Sequence, residues 1–88
     1  MDKRQNEILL ILQEECAEVI QAISKVKRFG LENNYEQLEQ EIADVICMIN
    51  LAYDFGILTK DEDIIKSRIL VKQERLKKFS SIYDTTSN

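Results

Sequence analysis

The chain has no proline, no histidine and no tryptophan, and only two glycines, Gly30 and Gly56, among 88 residues. So few helix breakers exclude a turn-rich sandwich and favour long helices. The missing histidine rules out zinc sites completed by imidazole and the Glu-x-x-His pairs of oxygen-activating dimetal bundles. Only two cysteines are present, Cys16 and Cys47, with no CxxC pattern. Buried free thiols in a reducing cytoplasm are the expectation, rather than a disulfide. The apolar run at residues 8–12 is too short for a leader or a membrane span. A cytoplasmic protein with no membrane partner is therefore expected.

Positive charge is also in short supply. Lys and Arg number 12 against 16 Asp and Glu, for a formal net charge of −4. Binding to a nucleic-acid polymer rests on neutralising phosphates, so such a partner is not expected. The basic residues cluster late, as Lys66, Arg68, Lys72, Arg75, Lys77 and Lys78, and read as a solvated helix face.

What the chain does have is helical pattern. It is 44% hydrophobic and 32% charged, which suits a folded, helix-rich domain. The two glycines divide it into three segments, each opened by a capping-box pattern: Asp2 with Gln5, Asn34 with Gln37, and Thr59 with Glu62. Both glycines stand where helices end in a left-handed residue. The expected helices are 3–29, 35–55 and 60–79. They form a single all-α domain over residues 1–80, with a disordered tail at 81–88.

In the first helix Ile8, Leu12, Val19, Ile23 and Val26 form one apolar stripe, and Leu9, Cys16 and Ile20 a second. In the second helix, residues 45–53 include one strongly polar side chain, Asn50, read as a buried hydrogen-bonding group. A helix apolar on every side must be covered on every side, and two neighbours are too few. An antiparallel helical bundle of three main helices, completed by oligomerisation, is the expected fold. The third helix offers a simpler face of Ile65, Ile69, Leu76 and Phe79. Tyr35, Tyr53 and Phe55 read as core residues.

Four carboxylates break these stripes. Glu15 and Glu18 are neighbours on one face, which runs back through Ile11 and Ile8 and forward to Ala22. Glu41 and Asp44 share a face with Met48, Leu51 and Phe55. Carboxylates on core-directed faces are costly unless paired or bound to a cation. Two such pairs on antiparallel neighbours would repel each other, and a hard divalent cation resolves the conflict. The competing reading is a non-catalytic oligomerisation module whose acidic pairs are solvated. Glu14 lies about 100° around the helix from Glu15 and reaches at most the rim. Lys25, Lys27 and Arg28 either meet phosphate oxygens or stabilise the helix C-terminus. Asp61, Glu62 and Asp63 suit the start of the third helix.

Glu14-Glu15-Cys16-Ala17-Glu18, followed after 22 residues by Glu41-Ile42-Ala43-Asp44, resembles the EExxE…ExxD signature of MazG-like nucleotide pyrophosphohydrolases. These belong to the all-α NTP pyrophosphatase superfamily, and the resemblance extends over residues 5–79. It implies a homodimer or homotetramer with Mg2+, or Mn2+, held by Glu15, Glu18, Glu41 and Asp44. It also implies a nucleoside triphosphate substrate cleaved between the α and β phosphates. Glu15 or Glu14 would act as base, and Lys25 and Arg28 would meet the phosphates. No tryptophan stands near the first motif, unlike in pyrimidine-specific members, so the resemblance leaves base preference open.

Overall fold

The computed structural model describes residues 1–85 and is all-helical. Among these residues lie α1 (Lys3–Phe29), α2 (Tyr35–Asp54) and α3 (Glu62–Phe79), with no strand. These limits lie within two residues of the expected ones, because the stop signals are local. Of the tail expected at 81–88, residues 86–88 lie outside the described residues. Residues 81–84 form a turn in which Asp84 N–H donates to the Ser81 carbonyl.

α1 starts as its capping box requires. The Asp2 carboxylate accepts from Gln5 N–H at 2.7 Å, and the Gln5 side-chain oxygen accepts from Asp2 N–H at 3.0 Å. The other two boxes do not form. At α2 the backbone does the work instead: the Leu31 carbonyl accepts from Asn34 and Tyr35, while the Asn34 amide turns back to the Gly30 carbonyl. At α3 the cap moves to Asp61, whose carboxylate accepts from Asp63 N–H, and Thr59 Oγ1 accepts from Asp61 N–H.

α2 ends in a Schellman motif. Ile57 N–H donates to the Ala52 carbonyl and Gly56 N–H to that of Tyr53, with Gly56 at φ 78°. This reversal folds Ile57 back onto the core. Gly30, at φ 93° and ψ 158°, occupies a region open essentially to glycine alone.

α1 and α2 pack along their lengths as a hairpin. The Gln5 amide donates to the Phe55 carbonyl at 2.8 Å, tying the start of α1 to the end of α2 and fixing an antiparallel sense. Arg4 lies over the Phe55 ring at the same end, 4.8 Å from its centroid. The core is small: Ile8, Met48 and Ala52, flanked by Ile11, Leu12, Leu51 and Ile57, with Ala22 buried separately.

α3 packs against neither helix of the pair, so within one chain the packed unit is the α1–α2 hairpin. The radius of gyration is 16.2 Å, where a compact chain of this length would have about 12 Å. Several side chains expected inside are consequently exposed. Asn50 faces solvent, as do Tyr35 and Phe55. Cys16 and Cys47 are free but exposed rather than buried, because the sides of the hairpin that carry them are uncovered.

Candidate metal centre

Glu15 lies one turn beyond Ile11 and Leu12 on α1. Glu41 and Asp44 lie one to two turns before Met48 on α2. The antiparallel hairpin brings these positions level, between the Ile8–Met48–Ala52 core and the buried Ala22. One carboxylate oxygen from each of Glu15, Glu41 and Asp44 lies within 4.8 Å of the other two.

The helical wheel accounts for their unequal burial. At about 100° per residue, Glu15 points in the mean direction of the buried Ile8 and Ala22, and Glu41 in that of Met48 and Ala52. Both are half-buried. Glu18 and Asp44 each lie roughly 60° to the same side of that direction, and both are exposed. The two acidic pairs thus occupy equivalent places on antiparallel helices.

Three carboxylates at this separation oppose one another, and among the described residues no lysine or arginine forms an ion pair with them. The conflict falls on Glu15. Desolvation raises its pKa above the ordinary 4.5, reinforced by the charges of Asp44, Glu41 and Glu18 and by a hydrogen bond with Asp44. An all-oxygen, uncompensated donor set of this kind, with Glu15 and Glu41 half-buried, fits a hard divalent cation. Glu15, Glu41 and Asp44 would hold it.

The remaining expected residues are distributed along α1. Glu18 stands beside the trio, close enough for its charge to act on Glu15, but outside the converging group. Glu14 is exposed and points away from the trio. Lys25 and Arg28 are exposed and lie roughly 15 and 20 Å along the helix axis from Glu15. Arg28 packs over the Phe29 ring, 5.2 Å from its centroid. An open hollow of about 670 Å³ at the α2–α3 corner, lined by Tyr53, Asp54, Lys60, Asp61, Ile65 and Lys66 among others, carries no sequence motif. Tyr53 is roughly 14 Å along α2 from Asp44, so this hollow is not the carboxylate centre.

A helical hairpin with an acidic cluster midway along it, its oxygens suited to a divalent cation, is the class of domain that the fold and site define. The chain belongs to the MazG nucleotide pyrophosphohydrolase domain family, whose match spans residues 3–66. That span takes in α1, α2, every acidic motif residue and the first turn of α3. It stops short of residues 67–79, which the resemblance read from the sequence had included. No curated protein and no solved structure matches the chain.

Proposed function

We propose that this chain is a divalent-metal-dependent pyrophosphohydrolase that cleaves nucleoside triphosphates, ribo or deoxy, between the α and β phosphates. The products are the monophosphate and pyrophosphate. The observation that carries the reading is the convergence of Glu15, Glu41 and Asp44 within 4.8 Å, unpaired by any cation of the chain. Membership of the MazG family supports the same chemistry.

In the reaction a water adds across the α–β anhydride, its hydroxyl going to one phosphorus and a proton to the departing oxygen. Bound Mg2+, or Mn2+, would neutralise phosphate charge and acidify that water. Glu41 and Asp44 would hold the ion, with Glu15 and the adjacent Glu18 completing the acidic set. Glu15 also suits the role of proton acceptor, because it stands half-buried beside the carboxylates that would hold the ion and its activated water. Glu14 on the rim is the second candidate. Lys25, whose side chain leans back toward the N-terminus of α1, would meet phosphate charge, with Arg28 one turn further along.

We read the activity as cytoplasmic housecleaning of the nucleotide pool. Among the described residues no helix is long and apolar enough to cross a membrane. We also read the working form as a homodimer or homotetramer. A folded monomer of 10.3 kDa has an accessible surface of about 5,400 Å², whereas this chain exposes 7367 Å².

The test is turnover of a panel of NTPs and dNTPs with Mg2+, detecting pyrophosphate and monophosphate. Glu41→Ala and Asp44→Ala should abolish turnover. Activity that survives both substitutions would sink the assignment of these residues, and no turnover of any nucleotide would favour a non-catalytic oligomerisation module with solvated acidic pairs.

A further inference from the structure

Glu18 and Asp44 each lie roughly 60° to the same side of their helix's buried direction. A two-fold axis normal to an antiparallel pair preserves rotational sense, so both emerge on one side of the hairpin. That side changes character along its length. Toward the 30–34 loop it carries Gln21 and Lys25 of α1 with Gln37 and Gln40 of α2, all exposed. No acid stands between Glu18 and Lys25 in the chain. Glu36 and Glu39 of α2 turn outward, roughly 80° and 140° around from Asp44.

Toward the opposite end the same side carries Ile11 of α1 with Cys47 and Leu51 of α2, within roughly 60° of the Glu18 and Asp44 directions. The register that joins Gln5 to Phe55 and Glu15 to Asp44 sets Ile11 at a level between Cys47 and Leu51. Ile11 and Leu51 pack on the core and are half-buried, and Cys47 is exposed. The three form an apolar shelf that begins one turn beyond the carboxylates. Glu7 and Glu14, both exposed, stand along its α1 edge. The lean of the side chains sharpens the contrast, because helical side chains tilt toward the N-terminus of their own helix. Lys25 therefore leans toward the carboxylates from one end, and Cys47 and Leu51 lean toward them from the other. Lys3 and Arg4, at the far end of α1, lean away, and Arg4 is engaged on the Phe55 ring.

We infer that a nucleoside triphosphate lies along this side in one direction, with its β and γ phosphates toward Gln21 and Lys25 and its nucleoside on the shelf of Ile11, Cys47 and Leu51. The inference rests on the proposed activity and adds the polarity of the substrate and the residues beneath its nucleoside. Cleavage between the α and β phosphates holds that linkage at the carboxylates, so the two halves of the substrate leave them in opposite directions. The β and γ phosphates carry most of the charge. Over the shelf they would meet apolar groups edged by Glu7 and Glu14; toward the loop they meet amide donors and a cation. The nucleoside is the uncharged half, and aliphatic side chains and a thiol suit it. Glu7 and Glu14 can then accept from base amino groups or sugar hydroxyls.

Cys47 reports on the shelf, and Cys16, on the other side of the hairpin, is its control. Iodoacetamide rates at each thiol would be followed by peptide mapping with Mg2+ and either of two ligands at saturation. One is pyrophosphate; the other is the α,β-methylene analogue of each nucleotide that the turnover panel identifies. The analogue should slow Cys47 by about tenfold or more and leave Cys16 unchanged, and pyrophosphate should leave both thiols as reactive as without ligand. Pyrophosphate that shields Cys47 as well as the analogue does overturns the orientation. So does an analogue that leaves Cys47 reactive, or a Cys47 already closed without ligand. Titration calorimetry adds a second measurement on two exposed positions. Lys25→Gln should weaken pyrophosphate by about tenfold, and Cys47→Phe should weaken the analogue by as much while sparing pyrophosphate. The opposite pattern overturns the inference even if one variant fails to fold. A panel in which nothing turns over removes the proposed activity and the inference with it, whereas turnover with Cys47 unshielded removes the orientation alone.

Discussion

Glu15 is the residue where stability and function conflict. Its carboxyl is held above the ordinary 4.5 by desolvation and by the charges of Asp44, Glu41 and Glu18. The folded chain therefore keeps this proton to higher pH than the unfolded chain does. Between the unfolded value and the raised folded one the native state binds more protons, so stability falls as pH rises through that window. In chelator, the thermal midpoint should drop as pH is raised from 4.5 into the neutral range, and Mg2+ should restore it. Glu15→Gln should raise the midpoint at neutral pH, flatten part of the pH dependence and remove most of the gain on adding Mg2+. The same substitution should lower turnover by about a hundredfold or more, on the scale of losing a positioned proton acceptor. A variant no more stable than the parent at neutral pH, or one still fully active, would contradict this account of Glu15.

At the scale of the helices, the ends carry information that the middles do not. Gln5 has two tasks: its side-chain oxygen completes the α1 cap, and its nitrogen holds the Phe55 carbonyl at 2.8 Å. Gln5→Ala loses both and should cost about 1–2 kcal/mol. Gln5→Glu keeps the acceptor and loses the donor, so it should cost less than the alanine variant. Equal losses in urea denaturation would show that the cap acceptor contributes nothing, and an unchanged stability of Gln5→Glu would show the same of the tie to Phe55. Gly30→Ala meets no steric obstacle, since nothing lies within 4 Å of the added Cβ, but it must accept a φ of 93°. Backbone strain alone should then cost about 1–3 kcal/mol.

Helix limits could be read from the sequence because glycine and the Asp2–Gln5 box act within a few residues. The Asn34 and Thr59 boxes could not, because backbone carbonyls and Asp61 offered nearer partners. The acidic centre was legible in its faces but not its reach. Three-residue spacing puts Glu18 beside Glu15, yet which oxygens converge depends on how α1 and α2 sit against each other. That register follows from the packing of Ile8, Met48 and Ala52 and from the Gln5–Phe55 bond, all non-local.

For the whole molecule, the decisive quantity is apolar surface left uncovered. Among the described residues only Ile8, Ala22, Met48 and Ala52 are buried, although 44% of the chain is hydrophobic. The cysteines and Asn50 were expected inside because a helix apolar all round was expected to be covered by its neighbours together with a second copy of the chain. It finds cover on one side. A core this small gives too little burial to offset the ordering of so many residues. Stability should therefore depend on association, and association depends on concentration. For a dimer that unfolds directly to separated chains, a tenfold dilution removes about 1.4 kcal/mol. Spread over the unfolding entropy of two chains of this length, that lowers the thermal midpoint by on the order of 4 °C. A midpoint independent of concentration, together with a monomer in sedimentation, would mean that the hairpin and α3 are stable unaided.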